Sequence, residues 1–128
     1  MSAPENETLL GFLIRTGGIV PKAPRFHFYL LDEDGEAVGT HDFLTWANWF
    51  NDSFPSRRIG YDEIGGSTVS TMFLALDHNF SATGPPLLWE TMVFGGPEDG
   101  RCWRAASRTE ALATHQEVVK RLKDQESG

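Results

Sequence analysis

Two stretches decide how this chain folds: Gly65-Gly66-Ser67-Thr68-Val69-Ser70-Thr71-Met72-Phe73-Leu74-Ala75-Leu76 and Pro85-Pro86-Leu87-Leu88-Trp89-Glu90-Thr91-Met92-Val93-Phe94-Gly95-Gly96. Each is rich in β-branched and aromatic residues and is bounded by glycine or proline, which is the pattern of a strand between turns. The Gly65-Gly66 pair predicts a tight hairpin joining a strand over 57–64 to one over 68–76. Asp77 to Pro86 is a longer connection, and Gly95 to Gly100 turns the strand over 87–94 into a last one over 101–106. Four strands in sequence order predict an antiparallel meander. Strands 68–76 and 87–94 are apolar on both faces, so both faces should be covered, one by helices and the other by the N-terminal segment or a second subunit.

The helices lie on either side of this meander. Phe43, Trp46, Ala47 and Phe50 recur at the spacing of one helical face, predicting a helix over 41–51 capped by Thr40 or Asp42. Trp49 falls off that stripe, as a lid on the core edge or a contact for something else. Ser107 and Glu110 form a capping box that opens a helix over 107–123. Its buried stripe is Ala111, His115, Val118 and Leu122 with Leu112 and Val119, and Lys120, Arg121 and Lys123 suit the C-terminal end of its dipole. Upstream, Phe26 to Leu31 reads as a strand, Asp32 to Glu36 as a turn, and a short strand follows to Val38. The fold class is therefore α+β, an antiparallel meander sheet of four or more strands with two helices packed on it. The expected organisation is an extension over 1–25, partly flexible, a single domain over 26–123 and a flexible tail over 124–128.

Composition bounds the function. A chain of 128 residues with 40% hydrophobic and 23% charged residues suits one globular domain. The segment Thr8 to Val20 follows Glu5 and Glu7 and is broken by Arg15 and two glycines, unlike a signal peptide. No run approaches a membrane span, and one cysteine, Cys102, fits a reducing compartment, so a soluble, cytoplasmic protein is expected. The charge is uneven. Residues 26–100 contain twelve carboxylates against Arg57 and Arg58 alone, within a total of −7. Direct nucleic-acid binding by that region is disfavoured, because counterion release needs Lys and Arg. A basic protein partner, met by the cluster Asp32, Glu33, Asp34 and Glu36 with Trp49 as an apolar contact, is the binding expectation; a solubilising surface is the plainer one.

The residues that could carry chemistry are few. Asp77-His78 sits at a strand end, where neighbours point to opposite faces unless the strand has already stopped. Glu90 alternates with Leu88, Met92 and Phe94, so it should be paired, with Arg57, Arg58, His78 or a backbone donor. Asp77, His78 and Glu90 are thus the weak catalytic candidates, and the reading leans away from an enzyme. His27, His41, His78 and His115 with Asp62, Glu63, Asp77 and Glu90 lack the spacing of a metal motif, so no metal or cofactor is expected. Gly65-Gly66 and Gly95-Gly96 open no helix and are turns rather than phosphate loops, and Cys102 reads as a packing residue.

The blocks Ser70 to Phe80 and Pro85 to Gly96 resemble small uncharacterised bacteriophage and prophage proteins carrying "STxFLGLDHxF" followed by "PLLFETMVFGG". The likeness reaches back to Trp46-Ala47-Asn48-Trp49-Phe50 and Arg57-Arg58 and forward to Ala111 and His115, covering roughly 26–120. This chain departs from the pattern with Ala75 for glycine, Trp89 for phenylalanine and Arg104-Ala105 for Arg-Tyr. The resemblance implies a gene of mobile elements and an accessory protein that binds a host or phage protein, for instance to inhibit a host defence or nucleic-acid-handling system. A small enzyme or metal-binding protein using Asp77, His78 and Glu90 is the alternative, and a dimeric virion or assembly component the second.

Overall fold

The Gly65-Gly66 turn does what its sequence requires: Gly65 takes φ +58°, and Ile64 pairs with Ser67 directly across two residues. The computed structural model describes residues 26 and 28–127. Around that turn β3 (Arg58–Ile64) and β4 (Ser67–Phe73) form a hairpin, and β5 (Trp89–Phe94) and β6 (Cys102–Ala105) continue it in the order β3-β4-β5-β6, antiparallel throughout. A separate hairpin, β1 (Phe28–Leu31) with β2 (Ala37–Thr40), precedes them. The helices are α1 (Phe43–Asp52), a short α2 (Phe54–Arg57) and α3 (Arg108–Ser127). The expected α+β meander is what the chain forms.

Burial explains the arrangement. Residues of β4 alternate between buried and half-buried positions, with Val69, Thr71 and Phe73 inward and Thr68, Ser70 and Met72 outward. β5 does the same with Trp89, Thr91 and Val93 inward. Trp46 of α1 and Ala111 of α3 join Phe73, Trp89 and Ala105 in one cluster, so both helices serve the same sheet face. Val118, Val119 and Leu122 of α3 pack on Ile64, Val69 and Val93 in a second cluster. The opposite face is half-exposed among the described residues. Its expected cover, the N-terminal segment or a second subunit, lies outside them, as does the extension expected to be partly flexible.

Several boundaries differ for physical reasons. The first strand begins at Phe28 and the second ends at Thr40. Strand β4 stops at Phe73 because Ala75 takes φ +65°. There the Ala75 carbonyl accepts from Tyr29 N at 3.0 Å and from Trp46 Nε1 at 3.2 Å, which joins the first hairpin and α1 to the sheet. Leu87 and Leu88 precede β5 rather than opening it. Arg57 belongs to α2, buried with its guanidinium 4.0 Å above the Phe50 ring. Helix α1 is capped by Asp42, whose side chain accepts from Thr45 N, and Phe43 at its start is exposed rather than part of the buried stripe. Helix α3 runs to Ser127, beyond the expected end, because Gln125 Nε2 donates to the carboxylate of Glu98.

Candidate functional site

The turn between β1 and β2 carries four carboxylates on a backbone held by its own hydrogen bonds. Asp32 Oδ1 accepts from the amides of Asp34 and Glu36, both at 2.9 Å, and Gly35 N donates to Asp32 O at 3.0 Å. Gly35 supplies the positive φ of +79° that closes the turn. Asp32, Glu33, Asp34 and Glu36 are all exposed. A Cβ at Gly35 would stand 3.1 Å from Arg108 Nε, so this side chain from the start of α3 lies beside the turn. The result is a turn of held backbone that presents four carboxylates, with Arg108 beside it.

Trp49 is half-buried, its ring edge-on to Phe73 at 6.1 Å, which makes it a lid on the core. The apolar surface of the same helix is carried by Phe43 and Leu44, the latter 72% exposed. A second exposed aromatic stands on the loop after β4, where Phe80 is 83% exposed. That loop is held from inside. Asp77 Oδ1 accepts from Asn79 N at 2.8 Å and Leu87 N at 3.1 Å, and Asn79 Nδ2 donates to Thr83 O and Pro85 O.

The three weak catalytic candidates are placed apart in role. Asp77 closes its loop, as above. His78 Nδ1 lies 2.8 Å from Leu76 O, to which its N–H donates, and its ring faces Phe80 at 5.9 Å. Glu90 sits on the half-exposed sheet face and accepts from Arg104 Nε at 3.0 Å. The expected partners Arg57 and Arg58 are engaged elsewhere: Arg57 Nε donates to Ser53 Oγ and Arg58 lies 4.5 Å from the Tyr61 ring centroid. Glu90 pairs with Arg104 because β5 and β6 place the two directly opposite. Cys102 is exposed and not a packing residue, since it takes the same outward face. Among the described residues no three His, Cys, Asp or Glu side chains come together as a metal-binding group.

A polar chain that the sequence did not announce crosses the core. Thr91 Oγ1 and Thr71 Oγ1 are 2.7 Å apart, Thr71 Oγ1 is 2.7 Å from His115 Nδ1, and His115 Nε2 is 2.7 Å from Asp62 Oδ2. Both threonines and the histidine are buried, while Asp62 reaches the surface. The arrangement has the connectivity of an acid–base relay, but its hydroxyls have no opening to a substrate, so it ties α3 to three strands. Gly60 makes room for it, because a Cβ there would stand 2.8 Å from His115 Nδ1. The available signal was two threonines at inward positions of apolar strands beneath a histidine on a helix stripe. A second tie joins the β5–β6 turn to α3. Glu98 accepts from Arg121 at 2.7 Å and from Arg101 at 2.6 Å, and those bonds, chiefly Arg121's, hold its carboxyl below the usual carboxylate range.

Comparison with protein-family models, curated proteins and solved structures finds no match. No helix of the described residues is long and apolar enough to cross a membrane.

Proposed function

We propose that this chain is a small accessory protein of the phage and prophage kind, working in the cytoplasm of a bacterial host by binding a basic protein through its acidic hairpin tip. The observation that carries the reading is the tip itself. Four exposed carboxylates stand together on a turn whose backbone is held by the Asp32 side chain and closed at Gly35, on a hairpin joined to the core through the Ala75 carbonyl. A charged group held before the partner arrives loses little conformational freedom on binding, and clustered charge draws an oppositely charged partner in. Exposed Phe43, Leu44 and Phe80 supply apolar contacts of the sort that hold a complex once formed. The groups suited to acid–base chemistry are committed to the fold: Asp77 to its loop, Glu90 to Arg104, His115 to Thr71 and Asp62.

The reading is tested by capturing bacterial host proteins on the immobilised full chain and on a variant carrying Asp32→Asn, Glu33→Gln, Asp34→Asn and Glu36→Gln. A basic protein should be retained by the first, released by salt, and lost from the second. Equal retention by both removes the acidic tip from the account.

A further inference from the structure

Among the described residues the four-stranded sheet has two open edges, and they differ. β6 is only four residues long, and its neighbouring cations Arg101 and Arg104 are already paired with Glu98 and Glu90. β3 is seven residues long and free of proline, with a register shift between Arg58 and Gly60 that leaves 60–64 as its regular part. Its backbone pairing is fixed by the hairpin. With Ile64 and Ser67 facing each other across two residues, alternation directs the bonding groups of Ile64, Asp62 and Gly60 toward β4 and those of Tyr61 and Glu63 outward. Among the described residues no hydrogen bond reaches those outward groups.

The side chains along this edge have opposite signs at its two ends. Arg58 and Glu63 are both exposed, with Tyr61 between them on the same sheet face, 47% exposed. Arg58 lies over the Tyr61 and Phe54 rings and pairs with no carboxylate among the described residues. Glu63 accepts only the Tyr61 hydroxyl, at 3.0 Å, among the same residues. A strand with a cation at one end and an anion at the other is complementary to itself when a second copy runs antiparallel beside it.

We propose that β3 is the interface between two copies of this chain, related by a two-fold axis at Tyr61 and forming one continuous antiparallel sheet. Closed two-fold pairs are the commonest oligomers, and this geometry closes. Tyr61 meets the partner's Tyr61 across the axis, and the register shift at Ile59, which sets Arg58 on the sheet face of Tyr61 and Glu63, brings Arg58 toward the partner's Glu63. The inference goes beyond the acidic tip, which lies in a different hairpin, and stands whether or not that tip binds anything.

Sedimentation of the full chain over a range of concentrations tests it. A reversible dimer is expected, with Arg58→Glu and Glu63→Arg each weakening association by about tenfold or more and the double reversal restoring it. Amide exchange at Tyr61 and Glu63 should slow as concentration rises, a readout that needs no variant. A chain monomeric at every concentration, or a dimer indifferent to both single reversals, overturns the proposal.

Discussion

Ala75 holds a backbone conformation that favours glycine, and that conformation has a cost. At φ +65° an alanine suffers a steric penalty that glycine avoids, on the order of 1–2 kcal/mol. Glycine returns part of that through the greater freedom of the unfolded chain, roughly 0.4–1 kcal/mol. Ala75→Gly is therefore expected to stabilise the protein by up to about 1 kcal/mol, measured as a shift in the urea midpoint. A loss of stability would mean that packing of the buried Ala75 methyl outweighs backbone strain. Glu98 gives a second expectation at this scale. Its carboxyl titrates below its ordinary value, so the clamp on Arg101 and Arg121 contributes fully above that ordinary value and is lost as pH falls through the lowered one. Thermal melts of Glu98→Gln should therefore lie below the wild type at neutral pH and converge with it in acid. The anomaly of Glu90 was visible in the sequence, but its partner was not. Choosing Arg104 over Arg57 or Arg58 needs the register of β5 against β6 and the helical turn that buries Arg57.

At the scale of elements, α3 is joined to the sheet by the chain Thr91, Thr71, His115 and Asp62 as well as by apolar packing. Thr71→Val removes the central hydroxyl and leaves both Thr91 Oγ1 and His115 Nδ1 buried without it. The expected cost is about 2 kcal/mol, since an orphaned buried polar group costs roughly 1–3 kcal/mol. Adding Thr91→Val should cost little more, because its hydroxyl has already lost its partner, and a denaturant cycle over the two positions measures that coupling. Independent, additive losses would show that the threonines do not act as one chain. The elements themselves were legible, since glycine turns, helical periodicity and the Ser107 capping box are local signals. Ser107 Oγ does accept from Glu110 N at 3.1 Å, while the Glu110 carboxylate accepts from Ala106 N at 3.2 Å. The polar chain was not legible because its members are up to 53 residues apart and meet only when three strands and a helix are in place. The short helix α2 was hidden by Pro55, which reads as a stop after α1 but also suits a first helical turn.

At the scale of the molecule, the charge pattern was readable as soon as the carboxylates were counted, but their presentation was not. The sequence places Asp32, Glu33, Asp34 and Glu36 together; only the fold shows that Asp32 folds back to fix the turn and that Arg108 lies beside it. The reverse holds for Trp49, singled out for lying off the helical stripe, because the cluster it covers is set by Phe73 from a distant strand. The most direct measurement is the association rate constant with a captured basic partner, followed by stopped flow over a range of ionic strength. Neutralising the four carboxylates of the tip should lower that rate by about tenfold at low salt and flatten its salt dependence, because steering acts mainly on encounter and is screened within roughly 8 Å at physiological ionic strength. The melting temperature should hardly change, since all four groups are exposed. A rate and a salt dependence identical to those of the wild type would contradict the account, leaving the acidity as a solubilising surface and the apolar residues Phe43, Leu44 and Phe80 to hold any partner.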